Sequence, residues 1–108
     1  MLRINMEYRK GILFVRLIGK LNKDTSYKLD DFLIKTIRRH GIKYLVYNLD
    51  NLYSIDKNGK DILQKGIKAI KKNKGKVLVC AASPTIEVQN LKVSYIKNEL
   101  KALKILNV

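Results

Sequence analysis

The chain has 108 residues, 46% of them apolar, with one Pro and six Gly, a length and balance that fit one globular domain with a single core and exclude a disordered linker. Its apolar runs, "ILFV" and "VLVCAA", fall far short of the roughly 20 residues that cross a bilayer, so a soluble cytoplasmic protein with no membrane association is expected. The 23 Lys and Arg against 9 Asp and Glu give a net charge of +14, which raises nucleic acid or an anionic surface as a partner.

Residues 2–8, "LRINMEY", alternate Leu2, Ile4 and Met6 with polar neighbours, the period of a half-buried strand. "RKG" turns the chain at Gly11, and "ILFVRLIG" reads as a deeper second strand paired with the first in a hairpin. From Asp24 the spacing becomes helical, with Leu29, Phe32, Leu33, Thr36 and Ile37 on one face. Asp24, Thr25 or Ser26 caps its start, Arg38, Arg39 and His40 suit its carboxyl end, and Gly41 stops it.

"KYLVYNL" is the third strand, and a loop follows it. That loop, "YSIDKNGKDIL", ends in a helix start at which Asn58 is the best-placed cap, with Asp56 a second good cap type. The helix presents Ile62, Leu63, Gly66, Ile67 and Ile70 as one stripe and ends between Asn73 and Gly75. "KVLVCAA" is a nearly continuous, central strand, and Ser83 with Pro84 opens a short helix through "SPTIEVQNL". "KVSYI" reads as a brief edge strand, and "KNELKALKILNV" as a closing helix with Leu100, Leu103 and Leu106 facing inward.

The order β-β-α-β-α-β-α-(β)-α predicts an α/β domain spanning 1–108. Its sheet is mixed but mostly parallel, of four to five strands with an N-terminal β-hairpin, packed against about four helices. Functional loops in such folds gather at the carboxyl ends of strands.

Catalytic constellations are missing. Gly75 and Lys76 suggest a phosphate loop, but Ile70 and Val77 stand where the motif needs Gly and Ser or Thr. Cys80 has no partner for a disulfide, and His40 lacks the companions of a zinc site, so both read as structural. The carboxylate pairs Asp30 with Asp31 and Asp50 with Asp56 read as caps and solvated faces. No enzyme activity, metal or cofactor is expected.

The element order, "EYRKGILFVRLIGKLNKDT", "YLVYNLDNLYSIDKNGKDIL" and "KVLVCAASP" together resemble a STAS domain, specifically the bacterial anti-sigma factor antagonists. Against the family pattern D-L-S-G-V-x-F-I-D-S-S-G, Leu49, Ile55, Asp56 and Gly59 match and Leu52 is a conservative replacement. Asn48, Asp50, Asn51 and Ser54 depart from it, and Lys57 and Asn58 occupy the two serine positions.

The resemblance implies a partner, an anti-sigma factor that is also a serine kinase, bound by the unphosphorylated antagonist so that a sigma factor is freed. It implies that the first serine of D-S-S-G accepts phosphate, here replaced by Lys57. The implied partner surface comprises Asn22, Asp24, Thr25, Asp56, Lys57, Asn58, Gly59, Lys60 and Asp61. Ser54, Ser83 and Thr85 are the alternative phosphoacceptors.

Two other readings stand beside this one: a small basic nucleic-acid-binding domain, and a scaffold or ligand-sensing module. Against the first, the cations are scattered through helices, turns and both termini, and the abundance of Ile and Asn points to compositional drift toward Lys. Tyr44, Tyr47 and Tyr53 are the aromatics available for base stacking.

Overall fold

A two-residue turn sets the first pairing. In the computed structural model of the chain, which describes residues 1–80 and 93–106, β1 (Leu2–Arg9) and β2 (Ile12–Leu21) run antiparallel from Leu2 opposite Gly19 to Arg9 opposite Ile12. Lys10 and Gly11 join them with φ of 52° and 82°, the paired positive φ of a hairpin turn whose twist matches that of the strands.

β3 (Tyr44–Ile55), β4 (Lys76–Cys80) and β5 (Ser94–Ile96) then add in parallel, giving one sheet in the order β1-β2-β3-β4-β5. The hairpin, the parallel pairing and the edge strand match the sequence reading, while β4, expected to be central, is interior but next to the edge, and β3 is the middle strand. Among the described residues there are three helices, α1 (Ser26–His40), α2 (Lys57–Lys72) and α3 (Glu99–Ile105). The helix expected after Ser83 lies outside the described residues.

Both faces of the sheet are covered, which is why β2 and β4 are apolar almost throughout. Leu13, Val15 and Leu17 of β2 join Leu45, Tyr47 and Leu49 of β3 under α1 and α2. The alternate residues Ile12, Phe14, Val46 and Leu78 pack on the opposite face against Ala102 and Leu106. The α2 stripe of Ile62, Leu63, Gly66, Ile67 and Ile70 is buried as expected.

Two helical faces differ from the expectation. In α1 the buried stripe is Ser26, Leu29, Leu33 and Ile37, and Phe32, about a quarter-turn off it, is 63% exposed. In α3 Leu100 is 71% exposed, while Ala102 and Leu106 are buried. An ion pair sets the phase of that short helix. The Arg16 guanidinium donates to both oxygens of Glu99 at 2.8 and 2.7 Å, Asn48 Nδ2 donates to the same carboxylate at 2.8 Å, and Asn98 caps the helix. Glu99 thus faces the sheet, and Leu100 is turned away.

Arg16 is also held by Asn5 and Glu7, so the cluster ties β1, β2, β3 and α3 together. Arg16 holds the Glu99 carboxyl below the usual carboxylate range, with Asn48 adding to the effect. A carboxylate with a lowered folded pKa contributes stability that is complete above its unfolded pKa, about 4.3, and is lost as pH falls through the folded value. We expect Glu99→Ala to cost about 1–2 kcal/mol at neutral pH, allowing for solvent screening of a part-exposed pair. Urea unfolding as a function of pH checks this, and the difference between wild type and variant should shrink in acid.

Candidate functional site

β3 does not stop at Leu49. It continues through the polar residues Asp50, Asn51 and Ser54 to Ile55, because β2 runs alongside with Ile18 opposite Asn51 and Leu21 opposite Ile55. The expected loop is therefore mostly strand, and the turn into α2 shrinks to Asp56. Register shifts between Arg16 and Ile18 and between Gly19 and Lys20 accommodate the pairing.

Asp56 is the helix cap, and the Asn58 assignment is corrected. The Asp56 backbone is extended at φ −108°, ψ −173°, and its Oδ1 accepts from the Gly59 N–H at 2.9 Å. Asn58 is already the second residue inside the helix and is exposed. Helix geometry dictates this: the capping side chain must come from the last non-helical residue to reach the free N–H groups of the first turn.

The other carboxylate oxygen of Asp56 accepts from the Lys23 N–H at 3.0 Å, and its own N–H donates to the Leu21 carbonyl at 3.2 Å. Asp56 thereby binds the β2–α1 loop to the start of α2. The Gly59 N–H above all, with Lys23 and Asn58 contributing, holds its carboxyl below the ordinary range. Like Glu99, it supports the fold above its unfolded pKa and stops doing so in acid.

The β2–α1 loop is knitted separately. Thr25 Oγ1 donates to the Lys20 carbonyl at 2.8 Å and accepts from the Asn22 N–H at 2.9 Å, while Asn22 Oδ1 accepts from the Asp24 N–H at 2.9 Å. Thr25 stands at the cap position of α1 without a side-chain capping bond. Its hydroxyl is spent within the loop.

Gly59 makes the close approach possible. A Cβ there would meet the Leu21 carbonyl oxygen at 2.6 Å and Leu21 and Ile55 side chains at 2.9 Å. The first turn of α2 thus rests directly on the end of β2. The structure brings Asn22, Asp24 and Thr25 beside Asp56, Lys57, Asn58, Gly59, Lys60 and Asp61, with Lys57, Asn58 and Asp61 exposed.

Chemically, this surface offers cations, amides and carboxylates. From Ile55 to Lys72 there is no Ser, Thr or Tyr. Ser54 is exposed at the end of β3, whereas Ser83 and Thr85 lie outside the described residues. Cys80 is buried, its thiol donating to Asp50 at 3.3 Å, and burial foremost, then Asp50, pushes it up to about 12, which keeps it protonated and unreactive. Among the described residues no cluster of His, Cys, Asp and Glu could hold a metal, and no helix is long and apolar enough to cross a membrane.

The STAS domain profile matches residues 3–101. The chain belongs to the STAS domain family. An anti-sigma F factor antagonist of Paenibacillus polymyxa is 32% identical over 85 residues, 79% of this chain and 73% of the relative. A putative anti-sigma factor antagonist of Thermotoga maritima superposes with a TM-score of 0.87 at 14% identity, over 97% of this chain and 95% of that one. The anti-sigma factor antagonist SpoIIAA in its unphosphorylated form gives 0.82 at 16% identity, over 97% and 98%. The Bacillus SpoIIAA in its phosphorylated form gives 0.78 at 15%, over 96% and 99%. The STAS fold expected from the sequence is therefore the fold observed.

Lys23 acts at the junction through its backbone N–H alone, which no residue type signals.

Proposed function

We propose that this STAS domain is an anti-sigma factor antagonist. In this reading it acts in the cytoplasm, binds an anti-sigma factor of the serine-kinase type and so releases a sigma factor for transcription. It is a binding protein, not an enzyme. The observation that supports the reading is the Asp56 clasp: Asp56 bridges Gly59 and Lys23 at the loop-to-helix junction, which carries no hydroxyl at positions 57 and 58.

A phosphoserine adds roughly −1.5 to −2 charges, whereas Lys57 adds +1, so the loop cannot imitate the modified state. The antagonist is held permanently in its binding form. The partner surface is the patch formed by Asn22, Asp24 and Thr25 with Asp56 to Asp61.

Capture from the native host with wild-type chain and with Lys57→Asp as baits tests this. Wild type should retain a kinase-type anti-sigma factor, and Lys57→Asp, which places a negative charge where phosphate would sit, should lose it. Equal capture by both baits, or capture of no anti-sigma factor, would count against the proposal.

A further inference from the structure

Nine of the scattered cations of the sequence gather at one pole of the molecule. The parallel register sets Ile12, Tyr44 and Lys76 side by side at the starts of β2, β3 and β4, far from the Asp56 end. The β1–β2 turn, with Arg9 and Lys10, lies at that same end. So does the end of α1 with Arg38 and Arg39, because Asn73 Nδ2, at the end of α2, donates to the Ile37 and Ile42 carbonyls. Lys71 and Lys72 close α2, Lys74 follows it, and the Lys76 N–H donates to the Lys43 carbonyl at 2.7 Å.

All nine of these side chains are exposed, and none is in an ion pair among the described residues. No acidic residue occurs in 8–23, 32–49 or 62–80, so the charged side chains of these three stretches are all basic. The acids Asp24, Asp56 and Asp61 stand at the opposite end, at the Asp56 junction.

Complementing helix dipoles accounts for Arg38, Arg39, Lys71 and Lys72, which close helices. It does not account for Arg9, Lys10, Lys43, Lys74 and Lys76, which sit in turns and strand starts. Nor does compositional drift, which has no reason to give the segments 9–11, 38–43 and 71–76 nine cations and no carboxylate. Such a set of like charges repels itself unless a polyanion neutralises it.

Two shallow basins open onto this region. One, of about 620 Å³, is lined by Lys35, Thr36, Arg38, Arg39 and His40. The other, of about 320 Å³, lies between α1 and α2 and is lined by Arg38, Lys68 and Lys72 together with Asp30, which pairs with Lys65.

We propose that this pole binds the phosphate backbone of duplex nucleic acid without reading base sequence. The exposed rings bordering it among the described residues are Tyr8 and the His40 imidazole, too few to stack successive bases of a single strand. In the segments 9–11, 38–43 and 71–76 no apolar side chain is exposed that could anchor in a lipid interface.

Fluorescence anisotropy with a mixed-sequence DNA duplex two helical turns long tests the proposal. Affinity should fall with salt at a log–log slope of about −0.9 per phosphate neutralised, so about five contacts predict a loss of about 500-fold between 50 and 200 mM. A variant combining Arg38→Gln, Arg39→Gln, Lys43→Gln, Lys72→Gln and Lys76→Gln should lose the binding and flatten the slope. A charge-matched control with Arg3→Gln, Lys20→Gln, Lys28→Gln, Lys97→Gln and Lys101→Gln should keep most of it, with circular dichroism confirming that both fold. Equal loss in both variants, no binding by wild type at 50 mM, or binding to phosphatidylserine vesicles but not to the duplex would overturn it. Lys57→Asp should leave duplex binding intact, so failure here is distinct from failure of the anti-sigma reading.

Discussion

Lys57→Ser should turn a loop that accepts no phosphate into one that accepts one phosphate per chain when incubated with ATP and a kinase-type anti-sigma factor. The reasoning starts from the clasp. Asp56 caps α2 through its own side chain and backbone, so the residue that follows is free to change without undoing the helix start. Position 57 is the first helical residue and is exposed, which leaves a serine hydroxyl accessible to a kinase. Once formed, the phosphate would lie beside the unpaired N–H groups of the helix start, where negative charge is favoured. Intact-mass spectrometry with fragmentation reads the outcome. Stoichiometric phosphate on the wild-type loop, or none on Lys57→Ser alongside a phosphorylated control antagonist, would contradict the reading.

Gly66→Ala should be the most damaging small substitution in the helix layer, and Tyr47→Phe should rescue it. A Cβ at position 66 would collide with the Tyr47 hydroxyl oxygen and lie 2.9 Å from a Leu33 methyl. Tyr47 is fully buried and its hydroxyl donates to the Leu63 carbonyl at 3.1 Å, so the ring has nowhere to withdraw. Overpacking of this kind costs about 2 kcal/mol, or about 10 °C in Tm for a domain of this size.

Tyr47→Phe alone loses one hydrogen bond, about 1 kcal/mol. In the double variant the clashing oxygen is gone, the nearest ring carbon is 3.3 Å away, only the Leu33 methyl at 2.9 Å has to shift, and alanine favours the helix over glycine by about 1 kcal/mol. The double variant should therefore be more stable than Gly66→Ala by itself. Thermal unfolding of the four proteins decides it, and simple additivity of the two losses would show that the hydroxyl is not the obstacle.

Those two cases show where the sequence is legible and where it is not. The hairpin, the parallel order and the α2 stripe were readable because alternation and three-to-four spacing act over neighbouring residues. The length of β3 was not, since Asp50, Asn51 and Ser54 look like turn residues and become strand only because β2 lies beside them. Phe32 and Leu100 were misplaced for a related reason. Periodicity gives a stripe but not its phase, and in α3 the phase comes from Arg16, 83 residues away from Glu99. The cap moved from Asn58 to Asp56 because both are good capping residues, and only the backbone of Asp56, extended and outside the helix, settles the choice. The basic pole is invisible in the sequence because its members come from three separate segments, 9–11, 38–43 and 71–76.

The measurement closest to the central proposal is amide chemical-shift mapping of the 15N-labelled chain titrated with the anti-sigma factor. The proposal predicts shifts concentrated in residues 22–25 and 56–61, with the Gly59 and Lys23 amides that Asp56 holds among the most affected. Shifts confined to the basic pole around residues 38–43 and 71–76, or to α3, would contradict it.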